Sequence, residues 1–186
     1  PDGHFPGHIP NPEDKAAMAS IRQAVIEGGC DLGLIFDTDV DRAGAVDRNG
    51  QEFCRNRLIA LMSAIVAREA PGSTIVTDSV TSDQLAVFLR ERLGLVHRRF
   101  RRGYRNVIDE GIRLNREGTD CLLAIETSGH GAMRENYFLD DGAYLAVRII
   151  IEAVLLRREG KELGDLLRGL EEPAEAAEYR LAIAGE

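Results

Sequence analysis

Three carboxylates at two-residue spacing, Asp37, Asp39 and Asp41, follow directly on the apolar run Leu34-Ile35-Phe36. Alternate side chains of an extended segment point the same way, so the three acids can converge on one point. Like charges that close repel one another unless a cation lies among them. Oxygen ligands of this number and kind suit Mg²⁺. The apolar lead-in places the acids at the C-terminal end of a strand, where open α/β sheets bind their ligands. Arg42 comes next, and a guanidinium beside such a site can hold a phosphate through two parallel hydrogen bonds.

A second group of polar residues, Glu126-Thr127-Ser128-Gly129-His130, also follows an apolar run. It offers a carboxylate, a hydroxyl and an imidazole within five residues, with a glycine that lets backbone approach closely. That mix of acceptors and donors suits adjacent sugar hydroxyls. A Ser128–His130 nucleophilic pair is disfavoured, because no nucleophile elbow surrounds the serine. A third stretch, Arg98 to Arg105, interleaves basic and aromatic residues around Gly103. A strand-to-helix turn with glycine at its apex can hold an anion through backbone N–H groups and the helix dipole.

Other chemistries fit the acidic triplet less well. An EF-hand loop needs Gly at position six and Glu at twelve, and those positions hold Arg42 and Arg48. A phosphohydrolase of the haloacid dehalogenase type would use Asp37 as its nucleophile and Asp140-Asp141 as its late acidic pair. Its lysine is missing from the expected place, since the only lysines are Lys15 and Lys161. A non-catalytic sugar-phosphate-binding module is the third class.

The elements that must position these residues can be read from periodicity. A helix is expected over residues 12–27, with Asn11 as N-cap and Gly28-Gly29 as its stop. Strands are expected over residues 31–36 and 43–47, then an Asn49-Gly50 hairpin turn into residues 51–53, and a helix over 56–69. Beyond Ala70-Pro71-Gly72, strands at 74–77, 95–100 and 121–125 alternate with helices at 82–93, 104–116 and 141–159. That alternation implies βαβ units and a parallel sheet. A short helix is expected at 162–170 and a strand at 178–184. The predicted class is α/β, with mixed, largely parallel sheets flanked by helices. The expected division is residues 1–71, 72–170, and a linker with a further strand over 171–186.

Composition excludes several functions. A net charge of −8 over 186 residues argues against general nucleic-acid or acidic-membrane binding. No apolar run reaches the ~20 residues of a membrane span, so a cytoplasmic location is the expectation. Cys30, Cys54 and Cys121 form no C-x-x-C pair, which fits reduced, buried thiols. The proline-rich opening, residues 1–13, and the late strand both look like cuts through a longer protein.

Taken in order, these motifs resemble those of the α-D-phosphohexomutases, the phosphoglucomutase and phosphomannomutase superfamily. Pro1-Asp2-Gly3 with Phe5-Pro6 and Pro10-Asn11-Pro12-Glu13 is similar to the loop preceding that family's metal site. Asp37-x-Asp39-x-Asp41-Arg42 is similar to its magnesium loop. Gly103-Tyr104-Arg105-Asn106-Val107-Ile108 resembles its third-domain substrate loop, and Glu126-x-Ser128-Gly129-His130 its sugar-binding loop. Family members commonly carry Gly where this chain has Thr38, and some carry a Lys in the region that here reads Asp78 to Ser82.

The resemblance implies the end of domain II, all of domain III and the first strand of domain IV. It implies Mg²⁺ on Asp37, Asp39 and Asp41, with Arg42 steadying a phosphoryl group. Glu126 and Ser128 would bind sugar hydroxyls, His130 would orient the ring or assist proton transfer, and Gly103 and Arg105 would be further contacts. The implied partners are a hexose phosphate and the absent domains, one of which carries the phosphorylated serine. Apolar surface left by those domains would favour self-association.

Overall fold

The computed structural model describes residues 3–175 and 177. Strands β1 (Leu32–Phe36), β2 (Ala43–Asp47) and β3 (Glu52–Phe53) form an antiparallel sheet in that order. The β2–β3 turn is held by Asp47, whose carboxylate accepts from the N–H groups of Asn49 and Gln51 at 2.9 and 2.8 Å. A second sheet has the order β5-β4-β6-β7. There β4 (Thr74–Thr77), β5 (Val96–Arg99) and β6 (Cys121–Ile125) are parallel, and β7 (Gly131–Met133) adds an antiparallel edge. This is the predicted α/β class of mixed, largely parallel sheets with flanking helices.

Among the described residues, five α-helices flank the sheets: α1 (Lys15–Gly28), α2 (Arg55–Glu69), α3 (Asp83–Val87), α4 (Tyr104–Arg116) and α5 (Gly142–Arg158). Helix α1 places Met18 and Val25 on Val46 of β2. Every residue of α2 from Leu58 to Val66 is buried, as an apolar helix between layers must be. It joins Ala45 and Phe53 of the first sheet to Ile75, Leu123 and Ile125 of the second, together with Leu145 and Ile149 of α5. On the opposite face of the second sheet, Val107 and Ile108 of α4 pack on Val76, Cys121 and Ala124.

Cys121 and Ala124 share that face because a bulge interrupts β6. Thr74 pairs with Cys121 but Ile75 pairs with Leu123, so Leu122 is an extra residue. An inserted residue reverses the two-residue alternation, which turns Leu123 and Ile125 toward α2. Downstream of the bulge, the register delivers Glu126 to the C-terminal end of the sheet. The sheet's switch point lies there too, because β4 connects to β5 on one side and has β6 on the other.

Several local expectations need correction. The first helix begins at Lys15 rather than residue 12, because Asp14 is the N-cap and accepts from Ala16 and Ala17 N–H at 2.9 and 3.0 Å. Asn11 instead accepts from the Glu13 N–H. The helix capped by Ser82 is α-helical only to Val87 and continues as a π-helical turn over Phe88–Arg92. The last helix is a single 3₁₀ stretch, Leu163–Leu167, closed by reciprocal bonds between Glu162 and Asp165. Of the three thiols only Cys121 is buried; Cys30 is exposed and Cys54 half-buried. Strand β7 is too short to show a period in the sequence. The strand expected at 178–184 lies outside the described residues. Among the described residues, no helix is long and apolar enough to cross a membrane.

Candidate functional site

The acidic loop leaves β1 and returns into β2, so the antiparallel pairing Phe36–Ala43 pins both of its ends. Oxygens of Asp37, Asp39 and Asp41 lie within 4.8 Å of one another. Asp37 is buried and Asp39 exposed, so the cluster opens to solvent on one side. The guanidinium of Arg42 donates from Nε to Asp37 Oδ2 at 2.7 Å, and its backbone N–H donates to Oδ1 at 3.2 Å. A second guanidinium nitrogen reaches Asn11 Oδ1 at 3.3 Å. Asp41 Oδ1 is buried without a hydrogen-bond donor, and Arg42 Nε is 3.9 Å from it.

Backbone contacts tie this loop to residues 126–130. Ala43 N–H donates to Gly129 O at 3.3 Å, and Arg42 and His130 form an antiparallel bridge. Gly129 makes this possible with φ 101°, and a Cβ there would meet Ala43 O at 3.0 Å. Helix α5 closes the third side. Gly142 N–H donates to Val40 O at 3.0 Å, and a Cβ at Gly142 would lie 2.7 Å from Arg42 C and 2.8 Å from Val40 O.

The loop before α4 is fastened by Glu126, only 4 % exposed. Its Oε1 accepts from Gly103 N–H at 2.6 Å and its Oε2 from Ser128 Oγ at 3.2 Å. The anion at the start of α4 is therefore the protein's own carboxylate. Asp78, fully buried at the end of β4, accepts from both the N–H and the hydroxyl of Thr127. Arg105 is exposed on the first turn of α4. In the remaining basic stretch, Arg98 pairs with Glu110 and Arg99 with Asp83.

The titrations reflect this crowding of acids. Burial works to raise Asp37, but Arg42 outweighs it and holds the carboxyl below its ordinary value. Burial pushes Asp41 up to about 6; His130 opposes this, and Asp37 and Asp140 add to it. Burial also raises Glu126, against the Gly103 N–H. For His130 burial acts downward, but the hydrogen bond to Asp140 and the charge of Asp41 hold the ring above its ordinary value. Two adjacent carboxyls pushed apart in this way, beside a buried oxygen without a donor, are what a cradle short of positive charge looks like. A hard divalent cation fits that donor set.

The structure thus gathers Asp37, Asp39, Asp41, Arg42 and His130 at one junction and links Gly103, Glu126 and Ser128 to it through one carboxylate. Three neighbours are not among the site residues expected from the sequence. Asn11 touches Arg42, Tyr104 stacks on the His130 ring at 4.8 Å between centroids, and Asp140 Oδ2 lies 2.8 Å from His130 Nδ1. Tyr104 had a faint signal, flanked as it is by Gly103 and Arg105. Asp140 was read only as half of a possible phosphohydrolase acidic pair with Asp141, which in the fold caps α5 and accepts from Tyr144 N–H.

The family model described as phosphoglucomutase/phosphomannomutase, alpha/beta/alpha domain II, matches residues 1–50, and that for domain III matches residues 55–173. A phosphomannomutase/phosphoglucomutase of Pseudomonas syringae is 34% identical over 150 residues, covering 80% of this chain and 31% of its own length. The crystal structure of a phosphoglucomutase/phosphomannomutase family protein from Burkholderia thailandensis superposes with a TM-score of 0.74 at 29% identity, over 92% of this chain and 35% of that one. An Aspergillus fumigatus N-acetylphosphoglucosamine mutase, solved with GlcNAc-6P and magnesium, shares the fold at TM-score 0.57 and 14% identity, over 75% of this chain and 33% of its own. The chain spans about a third of the length of the relatives it matches. These matches do not favour the phosphohydrolase alternative. Locally, Asp37 is engaged by Arg42, Lys15 opens α1 and Lys161 pairs with Glu159. The chain belongs to the phosphoglucomutase/phosphomannomutase family and carries sequence of its domains II and III.

Proposed function

We propose that this chain supplies the metal loop and the sugar-reading loops of a phosphohexomutase acting on hexose phosphates. In that reading a phosphoserine elsewhere in the longer polypeptide gives its phosphoryl group to the sugar. The bisphosphate turns over in the cleft and returns its other phosphoryl group to the serine. The observation that carries the reading is the junction itself: the acidic loop and residues 126–130 are joined by a backbone hydrogen bond and a β-bridge across a domain II–domain III seam.

Asp37, Asp39 and Asp41 would hold Mg²⁺. When bound, that ion supplies neutralisation of the charge on a transferring phosphoryl group. Arg42, oriented by Asp37 and Asn11, meets a phosphoryl oxygen from the acidic-loop side. Ser128 and Glu126 read sugar hydroxyls; each carboxylate oxygen of Glu126 can accept a further bond beyond the one it makes here. Gly103 and Arg105 border the same loop, and His130 orients the sugar or moves a proton at its ring nitrogen.

Titration calorimetry tests this. Mg²⁺ is expected to bind weakly, with Kd on the order of 1 mM, because few protein ligands surround it. Asp39→Asn should weaken that binding about tenfold or more while leaving the fold intact, since Asp39 is exposed. Phosphate release from glucose phosphates by the wild type, abolished in Asp37→Asn, would instead establish a phosphohydrolase.

A further inference from the structure

His130 is held from two directions by residues to which the proposed function gives no part. Asp140 Oδ2 lies 2.8 Å from Nδ1, and Asp140 Oδ1 accepts from the Gly131 N–H at 3.1 Å. Both carboxylate oxygens are thus engaged, and the Asp140 backbone is fixed by a bridge to Ala132. The ring face is covered by Tyr104 at an interplanar angle of 21°. A carboxylate is an acceptor, so the nitrogen it touches must carry the hydrogen. Nδ1 also lies 3.6 Å from Asp41 Oδ2, a second acceptor on the same side.

We propose that Asp140 and Tyr104 are positioning residues that lock the neutral imidazole as its Nδ1–H tautomer and present Nε2 to the sugar-phosphate cleft as an acceptor. Asp140 sets which nitrogen bears the hydrogen, and Tyr104 sets the plane of the ring. A carboxylate behind an imidazole commonly serves this orienting purpose. Neighbouring Asp141 caps α5, so adjacent acids divide two tasks. Only the identity of the group that meets Nε2 rests on the proposed function; the clamp itself does not.

The test is a long-range ¹H–¹⁵N spectrum of the ¹⁵N-labelled chain, recorded at alkaline pH where the ring is neutral. Wild type is expected to show His130 Nε2 at the position of an unprotonated nitrogen and Nδ1 at that of a protonated one. Asp140→Asn should move most of the population to the Nε2–H form. Tyr104→Phe should leave the spectrum unchanged. Tyr104→Ala should keep the tautomer but remove the ring-current shift of the imidazole carbon-bound protons. An Nε2–H form in the wild type overturns the proposal even if Asp140→Asn does not fold, and so does an unchanged tautomer in a folded Asp140→Asn. Glucose 1-phosphate added to wild type should perturb Nε2 and leave Nδ1 unmoved. The expected tautomer with no response to the sugar phosphate would uphold the clamp and count against the hexose-phosphate reading.

Discussion

At Val40, between the second and third acids of the loop, a β-branched residue has φ 66°. Left-handed backbone at such a residue costs on the order of 1–3 kcal/mol and persists where surrounding contacts impose it. The contact here is Val40 O accepting from Gly142 N–H, which turns the loop so that Asp39 and Asp41 flank the same space. Val40→Gly removes the side-chain strain but adds about 0.5–1 kcal/mol of unfolded-state entropy. The net expectation is a gain of about 1 kcal/mol, seen as a rise in Tm of roughly 2–4 °C in a thermal melt. A fall in Tm would mean that Val40 is not strained. Glu126 combines two tasks. Read from sequence it is a ligand for sugar hydroxyls, and in the fold it is also the fastener that draws the Gly103 loop to Ser128.

Among the elements, α5 approaches the backbone of the acidic loop too closely to admit a side chain at Gly142. A methyl group at Gly142 would collide with backbone atoms of Val40 and Arg42, none of which is the free end of a flexible side chain. Gly142→Ala should therefore cost about 1–3 kcal/mol in denaturant unfolding and weaken Mg²⁺ binding with it. A variant as stable as wild type would show that the helix can retreat freely. The contact between strands β4 and β5 makes stability depend on pH. His97 of β5 lies 2.7 Å from Thr77 Oγ1, and burial, with Arg99 and Arg90 adding, pushes its pKa down to about 4. The folded chain thus binds fewer protons than the unfolded one between about 6.5 and 4. Stability due to this group is unaffected above that window and falls as pH drops through it, by up to about 3 kcal/mol. Unfolding midpoints compared between wild type and His97→Gln across that range check this, since the variant should lack the extra slope. Elements with a long apolar period, α2, α4 and α5, were legible in the sequence to within a residue or two. The start of α1 and the π-helical turn after α3 were not, because which polar side chain caps, and how a helix adjusts to its neighbours, depends on packing. Likewise the acid triplet and residues 126–130 were legible as strings. Their junction was not, since it depends on Gly129 and Gly142 admitting backbone from a distant segment.

For the whole molecule, three loops from two sheets meet at one place because α2 is buried between those sheets and fixes them together. That common core underlies the junction at Arg42 and His130, which in the proposed function forms one wall of the substrate cleft. The other requirements of the proposed reaction, a phosphorylated serine and a clamp for the far phosphate, are implied by the family resemblance for parts of a polypeptide about three times this length. The 186 residues contain no Ser-His-Asn-Pro segment of the kind that carries the phosphoserine. This chain alone is therefore expected to leave glucose 1-phosphate unconverted even at saturating Mg²⁺, while still binding it through Arg42 and residues 126–130. A coupled assay with glucose-6-phosphate dehydrogenase measures the conversion, and calorimetry on the same sample measures the binding. Turnover above the uncatalysed background would mean that a nucleophile inside the chain does the work attributed to the phosphoserine. That outcome would move the phosphoryl-accepting group to within reach of Asp37, Asp39 and Asp41. Binding without turnover is the expected result, and it would separate the wall that reads the sugar phosphate from the machinery that transfers the group.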